Sequence, residues 1–301
     1  MNKFKEKPRK RPTKGKVLFE IFKWTIFVVY GFISVLPMYW MVVNSFKTHP
    51  QIYADIDSFR TFLPPINVGH YFDSYVALFN EFDLFGRAVC NSLLYAVIMI
   101  VLVLAVNSFA GYALARFRFP GNRVIETFII LLLIVPIETS VVPLYVILYK
   151  LNLLNTAMFG SGIRIVAYVI PSIASPFNTF LFRQFFLGLP SELEDAASID
   201  GCGKFGTFFK IIFPLSLVSF AMVTIFTFMG VWNDYLWPQL IFTEEKLFPV
   251  QVFLQQVNNR NPKDISLVMA SLTFSTLPIV IVYVSFQKYL VEGVGYTGLK
   301  I

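Results

Sequence analysis

Charge is what this chain has least of: 14% of its 301 residues are Asp, Glu, Lys or Arg, where a soluble domain carries about 25%. That shortfall excludes a surface that faces water throughout, and the 56% hydrophobic content says what replaces it. Cysteine is nearly absent too. Cys90 and Cys202 fall in separate segments that the topology below puts on opposite sides, so no disulfide is expected. The two histidines, His49 and His70, share one extramembrane loop without metal-ligand spacing, and no metal site is expected. With no histidine in a span, the chain also lacks an H-E-x-x-H zinc-hydrolase motif.

What is present is apolar sequence in long runs. Six candidates stand at about 22–46, 88–115, 124–148, 163–187, 215–241 and 266–287. A bilayer core about 30 Å thick needs about 20 apolar residues per helix, and each run suffices. Only helices or closed barrels satisfy their backbone in lipid, and the alternation of a barrel strand is missing. The expectation is an all-α integral membrane protein with six transmembrane helices. The formal charge of +7 is concentrated in residues 1–16, which hold eight Lys and Arg against Glu6 alone. Such a tail suits anionic lipid or nucleic acid, or serves to keep the N-terminus in the cytosol. The long apolar helix directly after it favours the last reading, with no nucleic-acid partner. That helix, from about Trp24 to Phe46, is too long for a cleavable signal peptide and has no small-residue cleavage site. Of the Lys and Arg residues, 17 fall on the side so assigned and 8 on the other, so both termini are expected in the cytosol. Residues 1–18 then form a basic cytosolic tail, and 19–301 a six-helix domain with outer loops at 47–87 and 242–265.

The inner loop 188–214 is the most informative segment. Ser191 and Glu194 have capping-box spacing, Glu192, Glu194 and Asp195 crowd a first turn where the helix dipole favours acids, and Gly201 suits a left-handed end. A short helix follows, with the small residues Ala196 and Ala197 at its middle, then a turn-rich stretch with Phe205, Phe208, Phe209 and Ile212 running along the membrane face to Pro214. By itself this fits an ordinary amphipathic loop. The run Asp195-Ala196-Ala197, Gly201, Ile211, Phe213, Pro214 resembles the EAA motif of ABC importer permeases, E-A-A-x3-G-x9-I-x-L-P, matching at five of seven positions. Asp195 stands for Glu and Phe213 for Leu. Gly111–Gly121 (GYALARFRFPG), Leu151–Thr156, Gly230–Pro238 (GVWNDYLWP) and Gly295–Lys300 are similar to stretches of the carbohydrate, or maltose-type, branch.

The resemblance implies a type I importer permease in a bacterial cytoplasmic membrane, taking a sugar or oligosaccharide from an extracytoplasmic binding protein. It implies a second permease subunit and two cytosolic ATPase subunits that carry ATP and Mg, leaving no cofactor and no catalytic residue in this chain. Gly203-Lys204-Phe205 accordingly lacks the phosphate-loop pattern. Ser191, Glu194, Asp195, Ala196, Ala197, Asp200, Gly201, Ile211 and Pro214 would belong to the ATPase-coupling segment.

Candidates for the solute path are Glu138, Asn91, Asn178, Trp232, Asn233 and Asp234. Glu138 is the one acid deep in an expected span, and it fits solute contact, pairing with a neighbouring helix or a place at the outer interface. Trp232 and Trp237 fit an interfacial aromatic belt better than sugar-stacking surfaces. The outer loop with Gln251, Gln255, Gln256, Asn258 and Asn259 is within reach of a binding protein. A permease for another solute, such as glycerol phosphate or a peptide, is the alternative. A gradient-driven carrier would want paired intramembrane charges that this chain lacks.

Overall fold

The computed structural model describes residues 14–65, 69, 71–81, 84–260 and 262–298. The basic tail through Thr13, His70 and Lys300 lie outside them. Every regular element among the described residues is helical, as the missing alternation demands.

The chain divides into two compact units. The first comprises residues up to Val76 together with Asp264–Thr273. Its main helix, α1 (Lys14–Ser45), begins inside the segment expected to be a free tail. Leu18, Tyr30 and Phe32 are each about 70% exposed, so α1 presents bare apolar surface over most of its length, until Val43–Ser45 are buried at its end. Past Ser45 the chain is not a plain loop: it forms α2 (His49–Asp55) and a short 3-10 turn at Phe59–Phe62. Lys47 holds these together. Its side chain is 1% exposed, and Nζ meets Asp55 Oδ2 at 3.0 Å and the Arg60 carbonyl at 2.8 Å, the pairing a buried ammonium requires.

The second unit is built on α4 (Phe85–Arg116), which follows the short α3 (Asp73–Glu81). Two further pairs complete its first half: α5 (Asn122–Leu132) with α6 (Ile137–Lys150), and α8 (Gly162–Ile173) with α9 (Pro176–Leu187), a single turn α7 (Thr156–Phe159) lying between. α4 packs along α8 and α9 and along α13 (Leu217–Asn233). At Gly111 the approach to α9 leaves no room for a side chain: a Cβ there would stand 2.7 Å from that of Phe182.

Among the described residues, three helices are long and apolar enough to cross a membrane unaided, and three bent pairs make up to six if each pair is one span. The single span expected at 124–148 is two helices at 107°. Pro136 breaks it, lacking an amide hydrogen and barring helical geometry at the residue before it. The span at 163–187 bends by 44° at Ala174–Ser175. The one expected at 215–241 stops at Asn233, and α14 (Leu236–Ile241) follows as a separate turn. The outer segment 242–265 carries its own helix, α15 (Val250–Asn258), and α16 (Ile265–Gly298) closes the chain.

Candidate functional site between the fourth and fifth spans

Residues 188–216 fold as a chain of short helices: α10 (Glu192–Ile199), α11 (Lys204–Thr207), a wide π turn at Phe208–Ile212 and α12 (Phe213–Leu215). The stretch read as turn-rich is therefore helical. Phe205, Phe208, Phe209 and Ile212 fall at i, i+3, i+4 and i+7, the spacing of one helix face, and that periodicity governs. Phe208 and Ile212 sink into a core with Val103, Tyr112, Phe182, Phe186 and Val223, while Phe205 stays 73% exposed. This segment meets α13 at 78°.

α10 starts differently from its expected capping box. Ser191 makes no side-chain cap. The Glu194 carboxylate turns away instead, pairing with Arg116 Nε at 2.5 Å and accepting from the Tyr112 hydroxyl at 3.0 Å. Both charged side chains are nearly enclosed, 13% and 12% exposed. A charge-assisted bond away from water outweighs a cap to one backbone amide. Arg116 also donates to the Leu189 carbonyl at 2.8 Å, so the end of α4 grips both flanks of the turn into α10.

The C-terminus of α10 forms as its sequence requires. Gly201 has φ +77°, the Cys202 amide reaches back to the Ala197 carbonyl at 2.8 Å, and the Gly201 amide to that of Ser198 at 3.1 Å. These two bonds make a Schellman motif. Ala197 is buried, whereas Asp195, Ala196, Asp200 and Gly201 face outward, with Ile199 86% exposed. Ile211 is half-buried and Pro214 exposed.

The path candidates do not come together. Asn91 donates to the Lys246 and Phe248 carbonyls at 2.8 and 3.1 Å, and Tyr95 to that of Leu247 at 2.9 Å, tying the outer segment to α4. Lys246 and Ser161 bond the Glu244 carboxyl and hold it below the usual carboxylate range. Asn178 is buried, its side-chain oxygen unpartnered. Trp232 is wholly enclosed, stacked on Phe228 and donating to the Ser275 carbonyl at 3.0 Å. That removes it from both an aromatic belt and an open sugar-stacking surface. Trp237 is 8% exposed and donates to the Tyr168 carbonyl, so the belt reading fails there too. Asn233 is exposed and bonds its own helix at Met229, and Asp234 lies against Tyr168. Glu138 is exposed in the first turn of α6, with no ion-pair partner among the described residues.

Sequence reasoning missed Tyr112, Arg116 and Asn107. Asn107 is fully buried, donating to the Val103 and Ile173 carbonyls at 2.7 Å. It accepts from the Ser175 amide at 2.9 Å and the Thr179 hydroxyl at 2.8 Å. The polar side chain thus satisfies the backbone freed where the fourth span bends.

A helical protein of several apolar spans, with a short acid-led helix locked to the end of one of them, is by class a multi-pass integral membrane protein. Residues 107–296 match the family described as the binding-protein-dependent transport system inner membrane component, and the chain belongs to it. It is 30% identical to the arabinooligosaccharides transport system permease protein AraQ of Halalkalibacterium halodurans, over 93% of this chain and 97% of that one. It is also 30% identical to the lactose transport system permease protein LacG of Rhizobium radiobacter, over 91% and 94%. In fold it is similar to a chain of a bacterial ABC transporter that imports the acidic polysaccharide alginate, with TM-score 0.77 and 23% identity over 93% of this chain and 99% of that one.

Proposed function

We propose that this chain is the membrane subunit of an ATP-driven importer that passes a sugar or oligosaccharide inward from an extracytoplasmic binding protein. The observation that carries the reading is the joint one of family and chemistry: the relatives matched over nearly the full chain are named as saccharide permeases. The chain lies in a bacterial cytoplasmic membrane with both termini inside, as its Lys and Arg distribution favours. ATP and Mg belong to two separate ATPase subunits, and a second permease subunit, a different chain as the resemblance to the sugar branch implies, completes the path.

The segment Ser191–Gly201 acts as the coupling helix. Ala196 and Gly201 leave its outer face low, so a partner groove can close on it, and Asp195 offers a charge to a basic group there. Ile199 supplies an apolar knob. Because Glu194 is bound to Arg116, a push on α10 reaches the end of α4 directly. Closure of the ATPase pair would thereby move packed helices as bodies between two states.

Gly201→Asp tests the role. Aspartate tolerates the left-handed conformation better than most residues, and nothing lies within 4 Å of the added Cβ. The variant is expected to insert at normal levels and to lose ATP-dependent uptake of labelled oligosaccharide in vesicles. Normal uptake would count against the coupling role.

A further inference from the structure

A second feature of the same unit is a cleft of about 500 Å³ around the turn from α4 into α5. Arg118, Arg123 and Arg183 line it, with Glu126 as its acid. Glu126 Oε2 meets Arg183 Nη2 at 2.7 Å. This fixes one guanidinium, 14% exposed, in the wall, with its buried Nε left unpartnered. Arg118 and Arg123 are exposed and have no carboxylate at ion-pair distance among the described residues. Three cations against one acid give the cleft two units of uncompensated positive charge. Below it α5 turns outward Val124, Ile125 and Phe128, exposed by 58%, 45% and 61%. The arginines therefore sit at the rim of an apolar face, the depth of a lipid headgroup.

We infer that this cleft is a binding site for the phosphate of an anionic phospholipid, whose acyl chains lie along α5. Guanidinium groups suit the ligand because their planar forks hold phosphate oxygens two at a time. The continuous apolar strip favours a lipid over free phosphate, which would gain nothing from Val124 or Phe128. The inference rests on the transport reading only for the partner subunits purified with the chain, and lipid retention is measured without turnover.

The test uses the transporter purified with its partner subunits and placed in nanodiscs of phosphatidylglycerol mixed with phosphatidylcholine. Lipid carried through detergent exchange is then counted by native mass spectrometry. The wild type is expected to retain phosphatidylglycerol, and inorganic phosphate is expected not to displace it. Arg118→Gln with Arg123→Gln should weaken retention about thirtyfold, from the contribution of a basic side chain near an anionic surface. Arg118→Lys with Arg123→Lys keeps the charge but loses the forks, and should also retain less lipid than the wild type. Equal retention by the lysine variant would reduce the cleft to diffuse attraction and overturn the built site. Displacement by inorganic phosphate would overturn the lipid assignment. Both arginine positions are exposed, so unchanged melting in phosphatidylcholine alone is expected and separates lost binding from lost folding.

Discussion

At the scale of single residues, the Arg116–Glu194 pair decides how the loop is held. Two charges withdrawn from water are stable only while each has the other. Removing one strands its partner, which costs about 3 kcal/mol or more for a buried pair. Arg116→Ala should therefore lower the thermal stability of the purified protein, while Arg116→Ala with Glu194→Ala recovers part of the loss. If the pair also transmits motion, the double variant stays folded yet hydrolyses ATP with less uptake per ATP. The ratio of uptake to hydrolysis reads this directly, and an unchanged ratio would leave the pair with a structural role only. Half of this arrangement was legible in the sequence. Gly201 and the acidic first turn are local signals, settled by a few neighbouring residues. The partner of Glu194 was not legible, because Arg116 and Tyr112 lie on another helix, Tyr112 being 82 residues away.

At the scale of elements, apolar runs located three long helices and three bent pairs but said little of the interruptions in the pairs. Pro136 breaks the third expected span, whereas Pro37, Pro143, Pro171 and Pro278 lie inside helices. How the freed groups of the fourth span are satisfied was hidden. Asn107 reaches partners 66 to 72 residues away, and a lone asparagine in an apolar helix names none of them. Its contribution can be bounded. In Asn107→Leu the Ile173 carbonyl and the Ser175 amide lose their partner, and each buried group left unpaired costs about 1–3 kcal/mol. The variant should melt well below the wild type, and proteolysis of the purified protein should open near Ala174–Ser175. A melting temperature equal to the wild type's would mean that the bend is held by other contacts.

At the scale of the whole molecule, everything turns on which side of the membrane α10 occupies. Eight of the 17 cations counted inward come from the tail, so the remainder is nearly even. Burial does not separate the two groups either: Arg60, Lys150 and Lys246 of the group counted outward are exposed, while Arg116 and Arg183 of the group counted inward are paired and nearly enclosed. The chain's two free cysteines, Cys90 and Cys202, can be changed to serine, leaving a background for single reporters. Ile199→Cys places a thiol at a strongly exposed position of α10, and Asn259→Cys places one at the exposed end of the outer segment. An impermeant maleimide should label Ile199→Cys in inverted vesicles and Asn259→Cys in right-side-out ones. The reverse pattern would put α10 out of reach of any cytosolic ATPase, and a helix on that side has no nucleotide-driven partner to answer.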